Sequence, residues 1–227
     1  MRAPLRTASL RKGYLTKDHL PVWRKRVSSL HMTDHSPNVT QQKTGEMLDA
    51  IALATHCQAG ATVALSGALA ASLGQATANG SLAEGVSGAQ ADAARKLQTT
   101  LTPIRARLQE LADSDATAIG EFVRLREEGQ PLAGYAVLCG GPQEMAELSL
   151  QAAQALQDYR RHVSERTHDD LEFSITLAAS AARGAMQLLD SNIRIWPLPE
   201  LHAKYNPIID DLAARIDALT PVRRIRK

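Results

Sequence analysis

Two aspartates interrupt an apolar helical run, Leu111-Ala112-Asp113-Ser114-Asp115-Ala116-Thr117-Ala118-Ile119. Asp is a poor mid-helix residue because its short side chain competes for backbone groups, so two of them here need a reason. A spacing of two places them about 200° apart around a helix, so they cannot share a face. Asp115 aligns with Leu108, Leu111 and Ile119 and is expected to point inward, with Asp113 facing solvent. A buried carboxylate is costly unless it is paired or used. Paired, it meets an inward arginine such as Arg183. Used, it holds or passes a proton in a low-dielectric site.

The other chemistry-bearing residues give weaker patterns. His168-Asp169-Asp170 has the residue types of a metal site, but no second histidine follows at i+4 and adjacent side chains diverge on a helix. It reads as a solvated first helical turn whose acids oppose the helix dipole, and no metal is expected. His56, Cys57 and Cys139 supply a Cys–His combination without an evident third, orienting group. Gly140-Gly141 has neither Walker nor Rossmann spacing.

The elements that must position these residues are helical. Gln58 to Gly74 carries no charge and consists almost wholly of small residues. An ordinary surface helix would carry Lys or Glu on a wet face, so this one is expected to be buried nearly all round and to stop near Asn79-Gly80. Ser81 or Ser87 is a candidate cap for the next helix, which runs through Leu97, Leu101, Ile104, Leu108 and Leu111 to about Glu128, with Pro103 as a kink or break. Gly129 to Gly141 reads as the longest interior loop, with Pro142 in the first turn of a helix to about His162. Thr167 or Asp169 is a candidate cap for a second small-residue helix through Ile175, Ala178, Ala182 and Met186. A first helix from Thr44 to about His56 and a last one from Leu201 to Leu219 complete the pattern. No segment alternates with period two for long enough to argue a strand. The expected fold is all-α: an antiparallel helical bundle with Ala-rich inner helices, pairing as a homodimer.

Composition sets the outer bounds. Aromatics are 4% of the 227 residues, which suits thin-walled helix packing. Residues 1–31 hold eight of the 26 Lys and Arg but one acid, Asp18, so the remainder is acidic by five charges. Nucleic-acid binding by the body is therefore not expected. The 58–74 run is too rich in Ser, Thr, Gly and Gln for a spanning helix, so no membrane is expected. Two cysteines do not make a disulfide framework, which points to a reducing, cytoplasmic compartment. Residues 1–40 show no sustained period and read as a basic arm, disordered or loosely attached, before a domain from 41 to 227. The arm has transit-peptide composition, and Met32 is an alternative first residue.

Three pieces together resemble the cyclodeaminase/cyclohydrolase family of tetrahydrofolate enzymes over about residues 44–195. Gly60 to Leu73 resembles that family's glycine-rich turn and following helix. Leu111 to Phe122 resembles its Leu-x-x-x-Asp-Ala-x-Ala motif. Asp170 followed by Ala182-Arg183-Gly184-Ala185 and Asn192 resembles its closing Asp, Arg-Gly and Asn pattern. The resemblance implies a formiminotetrahydrofolate cyclodeaminase or methenyltetrahydrofolate cyclohydrolase, acting on a folate C–N bond without metal or redox cofactor. It implies Asp115 and Asp170 as catalytic carboxylates, and Gly60, Ala61, Arg183 and Asn192 as substrate-binding residues. Two features depart from it. The Pro-Gly-Gly-Gly-Ser turn stands here as Gln58-Ala59-Gly60-Ala61, and the basic stretch after the helix is replaced by Asn79-Gly80-Ser81-Leu82. They leave open a second reading, a non-catalytic helical dimer that binds a ligand or a protein partner.

Overall fold

The structure is a computed structural model that describes residues 39–41, 43–53, 58–195 and 198–226. His56, Cys57 and the basic arm up to residue 38 lie outside these residues. Every regular element among them is helical, so the all-α expectation holds. The α-helices are α1 (Thr44–Leu53), α2 (Ala59–Ala83), α3 (Ala89–Glu127), α4 (Pro131–Tyr159), α5 (His168–Ile195) and α6 (Pro199–Asp217). Short 3-10 turns at Val39–Gln41 and Glu165–Thr167 complete the set. None of the helices is long and apolar enough to cross a membrane.

The uncharged helix α2 packs against α3, α4 and α5. Its small residues permit this: Ala64, Gly67, Ala68, Ala71, Gly74 and Ala78 are all buried. At Gly74 a Cβ would collide with Leu156 and Leu101 and press on Ser174, so three helices converge there only because residue 74 has no side chain. Leu101, Leu108, Leu150, Leu156, Leu171 and Ile175 fill the space around α2. A smaller cluster under α6 gathers scarce aromatics, Phe122, Tyr135 and Tyr205, with Cys139, Leu189 and Ile193.

Contacts of α2 with α5 and the 3-10 turn before it fall in reverse order along the chain. A Cβ on Gly80 would meet Thr167, Ser174 Oγ donates to the Ala70 carbonyl at 2.7 Å, and a Cβ on Gly184 would meet Val63. Ser81, Ser164 and Thr167 form a buried hydroxyl cluster at the far end. Glu172, 1% exposed, is held by Arg160 through Nε at 2.5 Å and Nη2 at 2.9 Å, and Arg160 also donates to the Thr220 carbonyl. This pair ties the end of α4 to α5 and the C-terminal segment.

Several boundaries differ from the sequence reading. The 129–141 stretch is not a loop: α4 begins at Pro131, which occupies its first turn, and Pro142 lies inside it. Burial of Tyr135, Cys139 and Met145 offsets the low helix propensity of the glycines between them. Helix α2 continues through Asn79-Gly80 to Ala83 because Gly80 serves close packing against Thr167, and the left-handed glycine comes later, at Gly85. Neither Ser81 nor Ser87 caps α3, whose N-cap is Gly88. Thr167 is spent on the buried hydroxyl cluster. Pro103 is accommodated within α3, which runs on through it. Nor is α2 buried all round: Thr62, Leu69 and Ala76 are exposed.

Candidate active site

Asp115 lies half-buried on α3, against the first turn of α2. The backbone N–H of Ala61 donates to its carboxylate. A Cβ on Gly60 would collide with the same carboxylate, so a glycine at 60 is what allows α3 to bring Asp115 against the helix end. Orphan N–H groups at a helix N-terminus favour an anion, yet burial is the larger influence and raises the Asp115 carboxyl above its ordinary range, with the Ala61 bond opposing it. The result is a carboxyl with raised proton affinity, seated against the first turn of α2.

Among the described residues no cation pairs with Asp115. The expected partner Arg183 is elsewhere: it is exposed on α5 and donates to Asp217 of α6 at 2.6 Å. The paired reading of Asp115 is thereby corrected. The reason is register, since α5 presents Gly184 to Val63 and turns Arg183 outward to α6. The inward expectation for Asp115 holds, but Asp113 does not simply face solvent. Thr40 donates to it through its N–H at 3.1 Å and its hydroxyl at 2.8 Å, fastening the chain before α1 beside the site. Gln58 adds a buried side-chain oxygen without a partner at the other end of that segment.

Asp170 is not brought to Asp115. It is exposed in the first turn of α5, one turn before Ser174, which packs at the level of Ala70 and Gly74. At 1.5 Å rise per residue, that level is roughly 20 Å along α2 from Gly60. Asp169 and Asp170 there oppose the helix dipole, as the solvated-turn reading has it. Asn192 has a definite partner. Pro142 lacks the N–H that would bond the carbonyl four residues earlier, and Asn192 Nδ2 donates to that carbonyl, of Leu138, at 2.8 Å. Sequence reasoning missed both this relation and the Thr40–Asp113 bond; the mid-helix proline was a usable signal for the first, and nothing local announced the second. Cys139 is buried, and its thiol is pushed up to about 11 by desolvation, which makes it a poor nucleophile. No group of metal-ligating side chains assembles among the described residues.

Residues 43–203 match the family model described as formiminotransferase-cyclodeaminase. Among solved structures the chain is similar to a formiminotetrahydrofolate cyclodeaminase from Thermotoga maritima, with a TM-score of 0.70 and 15% identity over 80% of this chain and 93% of that one. At that identity the likeness speaks for the fold. No curated protein matches in sequence. The family match spans well over half of the chain, which therefore belongs to the formiminotransferase-cyclodeaminase family.

Proposed function

We propose that the protein is a tetrahydrofolate one-carbon enzyme of the cyclodeaminase or cyclohydrolase type, with Asp115 as its acid–base group. The observation that carries this is the Asp115 carboxyl: half-buried, raised in pKa, held by Ala61 N–H and, among the described residues, without a cation to neutralise it. In a cyclodeaminase step, N10 adds to the formimino carbon. The proton from N10 and one from the enzyme pass to the imino nitrogen, the C–N bond breaks, and ammonia leaves a cationic methenyl bridge. Asp115 protonated supplies the second proton, and ionised it stabilises the cationic carbon in a low-dielectric site. In a cyclohydrolase step water adds to that carbon and Asp115 takes the proton water loses; the bond from that carbon to N5 then breaks as the remaining hydroxyl proton passes to N5, leaving the formyl group on N10. Gly60 and Ala61 act through Asp115: the first leaves room for its carboxylate and the second holds it by the backbone N–H. Arg183, Asn192 and Asp170 are not assigned a step: the first two have structural partners and Asp170 stands apart.

One observation favours the second reading, a helical dimer without catalysis. Gln58 makes no side-chain cap bond at the start of α2, so Asp115 serves as the missing cap from a neighbouring helix, and capping alone could retain it. Both readings include the homodimer. Thr62, Ser66, Leu69, Leu73 and Ala76 recur at alternating spacings of four and three on the uncovered side of α2, a seam of small residues and leucines suited to a second helix, with both hydroxyls bonded to their own helix backbone. Leu69 is 61% exposed, and Phe173 on the adjoining α5 is 53% exposed. We place the protein in the cytoplasm, where its cysteines stay reduced.

The deciding experiment incubates purified protein with 5-formiminotetrahydrofolate and with 5,10-methenyltetrahydrofolate. Ammonia release with growth of the methenyl absorbance, or its accelerated decay, supports the enzyme. Neither, together with no folate binding by calorimetry, leaves the non-catalytic dimer.

A further inference from the structure

A groove of about 430 Å³ runs between α2 and α3, away from Asp115. Ser72, Gln75 and Asn79 line one wall, Gln98, Thr102 and Arg105 the other. Gly60 and Gln75 are fifteen residues apart on α2, roughly 22 Å at 1.5 Å per residue, so the groove is separate from the Asp115 site.

Its polar groups are held but not all satisfied. Thr102 donates its hydroxyl hydrogen to the Gln98 carbonyl at 2.8 Å, and so receives Gln75 Nε2 at 2.8 Å as an acceptor. This fixes the Gln75 amide, whose Oε1 is buried without a partner. Gln98 Nε2 donates to Asn79 Oδ1. Arg105 Nε is likewise buried with no acceptor, and no carboxylate lines the groove to balance its charge. A buried donor or acceptor left unmet is costly, because it has lost its water without gaining a partner. Here one of each lies in the same groove, the donor cationic.

We infer that this groove binds a small carboxylate that also carries an N–H or O–H donor. The carboxylate accepts from Arg105, and the donor satisfies Gln75 Oε1. Phosphate meets only half of this, because ionised phosphate offers mainly acceptors and would face the Gln75 carbonyl oxygen. The inference does not rest on the folate reading and survives its failure.

The test uses full-length protein and N-acetyl-L-glutamate as probe, followed by the 1H–15N signals of the Gln75, Asn79 and Gln98 amides and of Arg105 Nε–H. Inorganic phosphate and the uncharged N-acetyl-L-glutaminamide serve as comparisons. The expected result is a saturable shift of these signals with N-acetyl-L-glutamate alone. Arg105→Gln should weaken it at least tenfold while melting as the native protein does. Gln75→Leu should weaken it less, since it removes a neutral partner. Absence of saturable shifts up to about 10 mM, where affinity falls below a few kcal/mol, overturns the inference and leaves solvent as the occupant. Equal binding by Arg105→Gln, or stronger binding of phosphate, also overturns it. So does slow amide-proton exchange in the groove with no response to any probe, which would mean a second copy covers it.

Discussion

Gly60 and Asp115 meet across the α2–α3 contact so closely that residue 60 can carry no side chain without displacing the carboxylate. Gly60→Ala would ordinarily favour a helix by roughly 0.5–1 kcal/mol. Here it should instead destabilise by about 1–3 kcal/mol, the usual scale of overpacking, and should abolish turnover by moving the carboxylate. The cycle with Asp115→Ala isolates the contact. With the carboxylate gone, Gly60→Ala should cost nothing or stabilise. Equal destabilisation in both backgrounds would place the clash elsewhere.

Asp115→Asn separates chemistry from capping, because the amide retains an oxygen for Ala61 N–H. Turnover should fall by roughly two or more orders of magnitude. Stability at neutral pH should be unchanged or higher, since no arginine is left unpaired, in contrast to the loss of about 3–5 kcal/mol expected on breaking a buried ion pair. Its pH dependence has a definite sign. The folded carboxyl titrates above its ordinary value of 3.8, so the native state binds this proton more tightly than the unfolded chain. The stability it confers is complete below the unfolded pKa and is lost as pH rises through the folded one. Melting curves of the two proteins should converge near pH 4 and separate at neutral pH, with Asp115→Asn the more stable there. A native protein that gains stability relative to Asp115→Asn as pH rises would reverse the sign and show the carboxylate, not the acid, to be the favoured form.

Asp115 was legible in the sequence because a mid-helix aspartate on an apolar stripe is locally anomalous. Its neighbour on the opposing helix end was legible only through the family resemblance, which puts Gly60 and Ala61 in the same site; composition alone reads a glycine in an Ala-rich run the same whether it meets a carboxylate or a leucine. The pairing of Arg183 was misread for a related reason: periodicity gives a face, but α5 is contacted on several faces, and α6 supplied Asp217 from the far end of the chain. Around residues 129–141 glycine content outweighed the apolar residues at 135, 138 and 139, which pack the second core cluster. Local propensity yielded there to tertiary burial.

Asn192 should show its dependence on Pro142 directly. Asn192→Ala leaves the Leu138 carbonyl without its partner and should cost about 1–3 kcal/mol. Pro142→Ala restores an N–H four residues on, so the same truncation in that background should cost clearly less. Thermal or denaturant unfolding of the four proteins gives the coupling. Additive losses would mean the Asn192 bond is incidental.

Arg160 and Glu172 should respond unequally to truncation. Arg160→Met leaves a carboxylate that is 1% exposed with the more distant His168 Nε2, at 3.9 Å, as its remaining neighbour and should destabilise by about 3–5 kcal/mol. Glu172→Gln leaves a hydrogen-bonding amide under a more exposed arginine and should cost less. A reversed order in urea titrations would show that the Arg160 bond to Thr220, rather than the ion pair, holds this corner.

The α2 seam makes the assembly testable apart from catalysis. Leu69 is the most exposed large apolar residue of α2, and the helix offers no charge along its whole length. An apolar stripe in water costs about 25 cal/mol per Å² left uncovered, and a second copy covers it with the same stripe by two-fold symmetry. Light scattering at micromolar concentration should therefore give twice the chain mass. Leu69→Asp should bring two carboxylates together near such an axis and shift the protein to monomer, whereas Leu48→Asp, equally apolar and on α1 rather than in the α2 stripe, should leave the mass unchanged. Turnover by the Leu69→Asp monomer then tells whether the Asp115 site needs its partner copy. A wild-type monomer would remove the seam's purpose and with it the dimer common to both functional readings.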